Sequence, residues 1–177
     1  MIKRLSLVLA AQIKQRAPDH PGSIAVMAYS ISFIINMMSV ILLTLLAGIA
    51  TGHIEDTITV LVAFALLRQA SGGYHLKSGI TCIAVSTALL SLLALTPNLS
   101  DGLLLAVNIV SIAIVAIFSP SQIEKQTRIP PRYFPLLKAI STIIVASNFF
   151  IGSSVLAVTF LAQAATLLMR GGVKNRE

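Results

Sequence analysis

Apolar residues dominate this chain in long blocks, which short polar loops separate. The blocks occupy residues 23–49, 57–67, 80–95, 103–118 and 139–169. The first is long enough to cross about 30 Å of hydrocarbon with some tilt. The last is too long for one ordinary span, and the polar Gly152–Ser154 tripeptide near its middle predicts a hairpin of two short arms. Six hydrophobic segments result, and the second, fifth and sixth are predicted to be short or re-entrant.

The N-terminal segment, residues 1–22, has a different pattern. Ile2, Leu5, Leu9 and Ile13 recur at helical spacing and share one face, while basic residues occupy the other side. This pattern is typical of an amphipathic helix that lies flat on an anionic membrane surface. The alternative is an ordinary helix that packs against the bundle.

These patterns predict an all-α fold, a polytopic membrane helix bundle with an N-terminal amphipathic interfacial helix. Composition agrees, because 56% of the 177 residues are hydrophobic and 11% are charged, whereas soluble domains carry about a quarter charged residues. We expect one integral membrane domain with an amphipathic segment (1–22), a membrane bundle (23–169) and a basic C-terminal tail (170–177).

Basic and acidic residues alternate between successive loops. Lys and Arg occur before the first segment, after the second, after the fourth and at the C-terminus. The loop after the first segment carries Glu55 and Asp56, and the loop after the third carries Asp101, in both cases without Lys or Arg. Basic loops stay in the cytoplasm. Both termini and residues 68–82 are therefore predicted on the cytoplasmic side of a bacterial cell membrane. This topology accounts for the net charge of +7, and a nucleic-acid partner is unnecessary.

The stretch RQASGGYHLKSGITC, residues 68–82, concentrates polar groups between two apolar blocks. On an unbroken helix, His75 and Cys82 would be separated by a rise of about 10 Å, too far for easy proton transfer. The Gly72–Gly73 pair predicts a break in the backbone instead. With Ser78 as the N-cap of the next helix, Cys82 falls near its first turn, where the positive helix end favours a thiolate.

This arrangement predicts a cysteine nucleophile at the membrane boundary, with His75 folding back to take its proton. The amides of Gly72 and Gly73, or the first amides of the helix, would hold a developing oxyanion. Arg68 would orient a substrate carboxylate, bond to loop carbonyls, or mark the cytoplasmic edge of the second segment. No third catalytic residue is evident. The alternative is that Cys82 is a small buried hydrophobe.

No metal or cofactor is indicated, because three scattered histidines and one cysteine lack the spacing of a ligand set.

At this spacing, Arg68, the Gly72–Gly73 pair, His75 and Cys82 together resemble the core motif of the accessory gene regulator B family. These proteins are membrane cysteine endopeptidases that process quorum-sensing propeptides. The resemblance extends to chain size, the set of hydrophobic segments and the basic N-terminus. The loop at 119–138 is similar to the family's proline-and-lysine loop.

The resemblance implies that Cys82, activated by His75, attacks the carbonyl before the C-terminal tail of a short propeptide with an amphipathic leader. Loss of the tail leaves an acyl-enzyme, and transfer to a Cys or Ser of the peptide closes a thiolactone or lactone. Lys125, Arg128 and Arg132 are the candidates for substrate contact. The expected partners are this propeptide and membrane lipids, and pairing with a second copy of the chain stays open.

Two other functional classes stay open. A non-enzymatic small membrane protein, such as a transporter subunit or an assembly factor, fits the generic composition. A transporter usually carries polar or charged groups within its spans, however, and these spans hold little beyond Asn36, Asn108, Asn148 and Gln163. An enzyme with a lipid substrate normally needs a cluster of metal-binding carboxylates, and the sequence indicates none on the cytoplasmic side.

Overall fold

The structure is a computed structural model, and it describes residues 2–19, 21–74, 78–121 and 130–169. Helices account for nearly all of these residues, and the all-α prediction is confirmed. They are α1 (Ile2–Arg16), α2 (Ile24–Thr51), α3 (Ile54–Ser71), α4 (Gly79–Ala94), α5 (Asp101–Phe118), α6 (Phe134–Ala146), α7 (Asn148–Ile151) and α8 (Ser154–Leu168). A short 3₁₀ turn, Pro131–Tyr133, leads into α6.

The last apolar block bends back on itself, as its polar centre predicts. Gly152 ends α7 in the left-handed conformation, with φ at 70°, and the Ser153 hydroxyl caps α8 by accepting the Leu156 amide. The Asn148 side chain closes the turn, because its Oδ1 accepts the Ser153 amide and its Nδ2 donates to Asn108 on α5, both at 3.0 Å. α6 and α8 are therefore two arms of a hairpin that packs against α3 and α5.

Two apolar clusters organise the bundle. The first joins α3, α5, α6 and α8, and its buried members are Ala63, Leu67, Val115, Val145, Phe160, Ala164 and Leu167. The second attaches α4 to α3 and α8 through Val60, Leu90, Ala94 and Val155, and Val40 of α2 packs against it. The stretch between α3 and α4, which carries the candidate chemistry, therefore begins and ends on helices that are fixed in the core.

α1 packs against the first half of α2. Ala10 is fully buried in a cluster with Met27 and Ala28, and Ile2 lies beside Gly79 at the start of α4. Asn36, further along α2, borders the same glycine as Ile2, so α1 and α2 run antiparallel. This packing agrees with the bundle-packing alternative for the N-terminal segment. The outer face of α1 exposes Leu5 and other apolar side chains, and its contact with a membrane surface stays a prediction.

The outer surface of the bundle is apolar. Phe150 is 94% exposed, and large aliphatic side chains are exposed along α2, α5 and α6. A surface of this kind needs lipid around it.

Three segments among the described residues are long and apolar enough to span a membrane, namely α2, α5 and residues 131–151. The fifth segment is therefore longer than predicted, because the apolar stretch starts at the 3₁₀ turn. The sixth is short, as predicted. The third, α4, has only 16 residues and also falls among the shorter apolar helices.

Gly48 sets the distance between α2 and α3. A Cβ at this position would lie 2.8 Å from Thr57 Cβ, and Thr57 is buried and β-branched, so it has little freedom to move. We expect Gly48→Ala to lower the free energy of unfolding by about 1–3 kcal/mol through overpacking. Reversible unfolding in detergent micelles measures this change.

Gly102 provides the matched control for Gly48. It is also helical, but a Cβ there would meet nothing within 4 Å. Gly102→Ala should therefore be neutral or slightly stabilising. Equal effects of the two substitutions would contradict the close approach of α2 and α3.

Candidate active site

Cys82 lies in the first turn of α4, where the sequence predicts it. Ser78 occupies the N-cap position with extended backbone angles, although its hydroxyl makes no capping bond. The Cys82 amide donates to the Ser78 carbonyl at 2.9 Å. The amides before Cys82 in this turn have no partner within the helix, so they form a positive end beside the sulfur.

Two polar side chains lie beside the sulfur of Cys82, and one cation is within electrostatic range of it. Asn36 Nδ2 on α2 is 3.5 Å from Sγ, and Ser86 Oγ, one turn further along α4, is 3.9 Å from it. Arg68 at the end of α3 is close enough to interact electrostatically with a Cys82 thiolate. The thiol is partly buried and free. These neighbours make the site polar on one side and differ from the apolar surroundings of a purely structural cysteine.

His75 lies outside the described residues, and its distance from Cys82 stays a prediction. The residue immediately before it, Tyr74, forms two backbone hydrogen bonds. The Tyr74 amide donates to the Thr166 carbonyl at 3.3 Å, and the Tyr74 carbonyl accepts a hydrogen bond from Arg68 Nη2. Both backbone polar groups of Tyr74 are therefore held, one by α8 and one by α3.

Gly72 and Gly73 form the backbone break that the sequence predicts, with φ of 72° and 130°. These conformations disfavour any side chain, and a Cβ on Gly73 would collide with Thr166 Oγ1. The Gly72 amide donates to the Arg68 carbonyl, and the Gly73 amide donates to the Ser121 carbonyl at 3.0 Å. Neither amide is thus free for an oxyanion, contrary to one expectation. Their contacts favour a role in loop geometry, and the first amides of α4 remain for the oxyanion.

The side chain of Gln163, on α8, forms hydrogen bonds with this loop. Its side chain is fully buried, and its Nε2 donates to the Gly72 carbonyl at 2.7 Å and to Ser71 Oγ at 3.1 Å. Its Oε1 accepts from Arg68 Nη1 at 3.3 Å. One amide side chain therefore connects α8, the end of α3 and the glycine loop.

The side chain of Arg68 bonds to the loop. Its guanidinium donates to the Tyr74 carbonyl and to Gln163, and it lies 5.9 Å from the centre of the Phe64 ring. Of the three roles considered for Arg68, these contacts support hydrogen bonding to loop carbonyls.

The basic loop after α5 begins beside the glycine pair. The Ser121 amide donates to the Ser71 carbonyl at 2.9 Å, and its own carbonyl accepts from Gly73. Lys125 and Arg128 lie outside the described residues. Arg132 is exposed and stacks on Tyr133, 4.9 Å from its ring centre. The structure thus brings the start of this loop to the site, and substrate contact by its basic residues stays a prediction.

Asn36 and Gln163 are the site residues that the sequence analysis does not assign. Both are polar residues inside apolar segments, a feature that often marks function in membrane proteins. A polar residue inside an apolar segment could have pointed to them. Asn108 and Asn148 are also polar residues inside apolar segments, however, and they bond to each other at the hairpin turn. Only the tertiary structure separates the two pairs. Within the described ranges, no three His, Cys, Asp or Glu side chains are grouped as a metal site.

Comparison with known proteins identifies one family and one curated relative. The family described as "Accessory gene regulator B" matches residues 6–170. A protein of Halalkalibacterium halodurans, whose name describes it as AgrB-like, is 28% identical over 97 residues. This match covers 55% of the chain and 49% of the relative, so it spans about half of that protein's length. No solved structure matches the chain.

Proposed function

Because the chain belongs to the accessory gene regulator B family, we propose that it is a membrane cysteine endopeptidase that processes the propeptide of a quorum-sensing signal. Family membership supports a role in accessory gene regulator quorum sensing. The observation that carries the peptidase proposal is the position of Cys82 at the positive end of α4, beside polar groups from α2 and α3.

The proposed reaction begins with proton transfer from the Cys82 thiol to His75. The thiolate attacks the carbonyl that precedes the propeptide tail, and the carbonyl electrons move onto oxygen, where the first amides of α4 stabilise the charge. Collapse of this intermediate breaks the peptide bond. The tail leaves as an amine with the proton from His75, and the remaining peptide is bound to Cys82 as a thioester.

The second step releases the product. A thiol or hydroxyl within the bound peptide attacks the thioester carbonyl, His75 accepts its proton, and the Cys82 thiolate leaves. The product is a thiolactone or a lactone ring. Water competes for the same thioester, so the apolar surroundings of the bundle favour ring closure over hydrolysis.

In the proposed reaction, the anchored backbone of residues 72–74 helps to position His75. Arg68, Gln163 and Thr166 fix the backbone of residues 72–74 on the side from which the chain enters His75. A base whose backbone is anchored loses less freedom when it aligns with the nucleophile. Lys125, Arg128 and Arg132, in the loop that starts beside this segment, would contact the propeptide.

The decisive experiment uses the purified protein in lipid vesicles with the peptide encoded by a neighbouring reading frame that has a leader helix, an internal Cys or Ser and an acidic tail. Mass spectrometry should detect the free tail, a covalent adduct on Cys82 and a cyclic peptide. If the peptide binds and stays intact, the proposal is wrong and the non-enzymatic alternative is favoured.

The proposed reaction requires the site to face the cytoplasm, where a newly made propeptide is found. Arg132→Cys and Asp101→Cys, each in a Cys82→Ser background, report the two sides. An impermeant maleimide should label the second in intact cells and the first only after permeabilisation, because Lys and Arg loops are retained inside. The reverse labelling would contradict this orientation.

A further inference from the structure

The side chain of Asn36 reaches from α2 to the proposed nucleophile on α4, although Asn36 and Cys82 are 46 residues apart in the chain. Its Nδ2 is 3.5 Å from Cys82 Sγ. Its Oδ1 is buried and has no hydrogen-bond partner among the described residues. This oxygen lies 3.6 Å from the position that a Cβ on Gly79 would occupy, at the first residue of α4.

Stability gives no reason for an asparagine at this position. An amide within an apolar span loses its water, and a buried acceptor without a partner weakens the fold. The only side-chain bond that Asn36 makes among the described residues is to the sulfur, and a thiol is a poor hydrogen-bond partner. A thiolate is a much better acceptor, so the contact becomes strong only in the form that attacks the substrate.

Other buried polar atoms on the same two helices lack this relation. Within the part of the chain that the structure describes, the hydroxyls of Thr44, Thr87 and Ser91 are also buried without partners, and none of them contacts a reactive group. Asn36 differs because one atom of its amide contacts the sulfur. A general tolerance for polar groups between α2 and α4 would not explain this contact.

We propose that Asn36 is a catalytic residue, whose Nδ2–H donates to the Cys82 thiolate and stabilises it for attack. This inference rests on the proposed function. No proton is transferred by Asn36. The sulfur keeps this donor while the S–C bond forms and its charge passes to the carbonyl oxygen, and His75 remains the group that holds the proton.

A hydrogen bond to a thiolate has two opposing effects on its reactions. It increases the fraction of thiolate at neutral pH, but it makes each thiolate a weaker nucleophile, with a Brønsted slope of about 0.4–0.5. Removing the donor should therefore slow the reaction near pH 7 and speed it at high pH, where the thiol is fully ionised. The two rate profiles should cross, which a purely structural role would not produce.

The other charges near Cys82 are the same in all variants. α2, α4 and α8 carry no Lys, Arg, Asp, Glu or His. On α3, Arg68 is at the Cys82 end, and the acidic residues are in the first turn at the opposite end. Lys3 and Arg4 follow Ile2 on α1, and His75 precedes α4. Differences between variants therefore report the Asn36 side chain.

The test is the rate of alkylation by iodoacetamide as a function of pH, on the full chain in lipid nanodiscs. The chain has one cysteine, so S-alkylation, located by mass spectrometry, reports Cys82 alone. For Asn36→Leu, which has a similar size, we expect the half-maximal rate to move up by about one pH unit. The rate at pH 7 should fall about threefold and the high-pH plateau should rise about threefold.

Two further variants complete the test. Asn36→Asp places a carboxylate beside the thiolate, so its half-maximal pH should be at least as high as that of the leucine variant. Thr44→Val, which removes an unpartnered hydroxyl two turns along α2, should match the wild-type profile. Propeptide processing at pH 7 should fall with the alkylation rate for both Asn36 variants.

Superimposable profiles for wild type, Asn36→Leu and Asn36→Asp would overturn the inference. This failure is distinct from failure of the proposed function, because alkylation needs no propeptide. The proposed function fails when the wild-type protein leaves the propeptide intact. The role of Asn36 fails when a wild-type protein that processes the propeptide has the same alkylation profile as its Asn36 variants.

Discussion

Cys82→Ser is expected to lower the rate of propeptide processing at least about a thousandfold. A hydroxyl is similar in size to a thiol, so packing against Asn36 and Ser86 should persist. It is a far weaker acid, however, and His75 with the first turn of α4 would ionise it poorly. A buried hydrophobe would tolerate this change, and a nucleophile would not.

His75→Ala should lower the rate about a hundredfold to ten-thousandfold, the usual contribution of a general base. The double variant should lose little more than Cys82→Ser alone, because residues that act as one unit fail together. Membrane insertion and propeptide binding should persist, since neither side chain supplies much apolar area. Conversion of the propeptide by purified variants in lipid provides the measurement.

Two control variants match these substitutions in residue type or helix. His53→Ala removes a histidine from the other end of α3, where it contacts Asp56 at 3.4 Å. Ser91→Ala removes a small polar group from α4, two turns and more from Cys82. Both should keep processing within about twofold. Near-normal processing by Cys82→Ser would exclude the cysteine-peptidase mechanism.

Gln163→Leu is expected to have a large effect outside the catalytic pair, through the loop rather than through chemistry. The substitution removes the donors to Gly72 and Ser71 and the acceptor for Arg68. Hydrogen bonds between membrane helices average about 0.6 kcal/mol, with a maximum near 1.7. Three bonds and a partly unpaired buried cation together predict a loss of about 2–3 kcal/mol in unfolding free energy.

Processing by Gln163→Leu should fall about a hundredfold, because a loop released from α8 no longer presents His75 in a fixed position. Thr159→Val is the control, since Thr159 is buried one turn earlier on α8 and its side-chain bond within the described ranges stays in its own helix, at Val155. Unfolding in detergent and propeptide conversion should both separate the two variants. Equal stability and activity would show that the Gln163 contacts do not organise the site.

The periodic content of the sequence predicted much of the architecture. Blocks of apolar residues predicted six hydrophobic segments, and the polar interruption at Gly152 predicted the α6–α8 hairpin, because a helix in lipid must satisfy its own backbone and can turn only where polar groups are tolerated. The length of individual segments was less certain. The fifth begins earlier than its hydropathy suggests, since Pro131 starts a turn that leads directly into α6.

The sequence also predicted local features of the candidate site. The positions of Ser78 and Cys82 at the start of α4, and the unusual backbone at Gly72 and Gly73, follow from short-range rules on caps and glycine conformations. The sequence did not predict which groups the amides of Gly72 and Gly73 bond to. The Gly72 amide bonds to the Arg68 carbonyl of its own helix, but the Gly73 amide finds Ser121 only because the loops after α3 and α5 meet. The sequence therefore offered no test of the oxyanion expectation.

The sequence by itself therefore determined that the chain needs lipid around it, where its helices lie, and which motif contains His75 and Cys82. Hydropathy, capping and spacing are properties of neighbouring residues. Only the tertiary structure decided which distant side chains serve that motif. Asn36 reaches the sulfur from α2, and Gln163 holds the loop from α8, across separations of 46 and 91 residues. Helix packing creates these contacts, and no periodic pattern distinguishes them from the equally polar Asn108 and Asn148, which bond to each other instead.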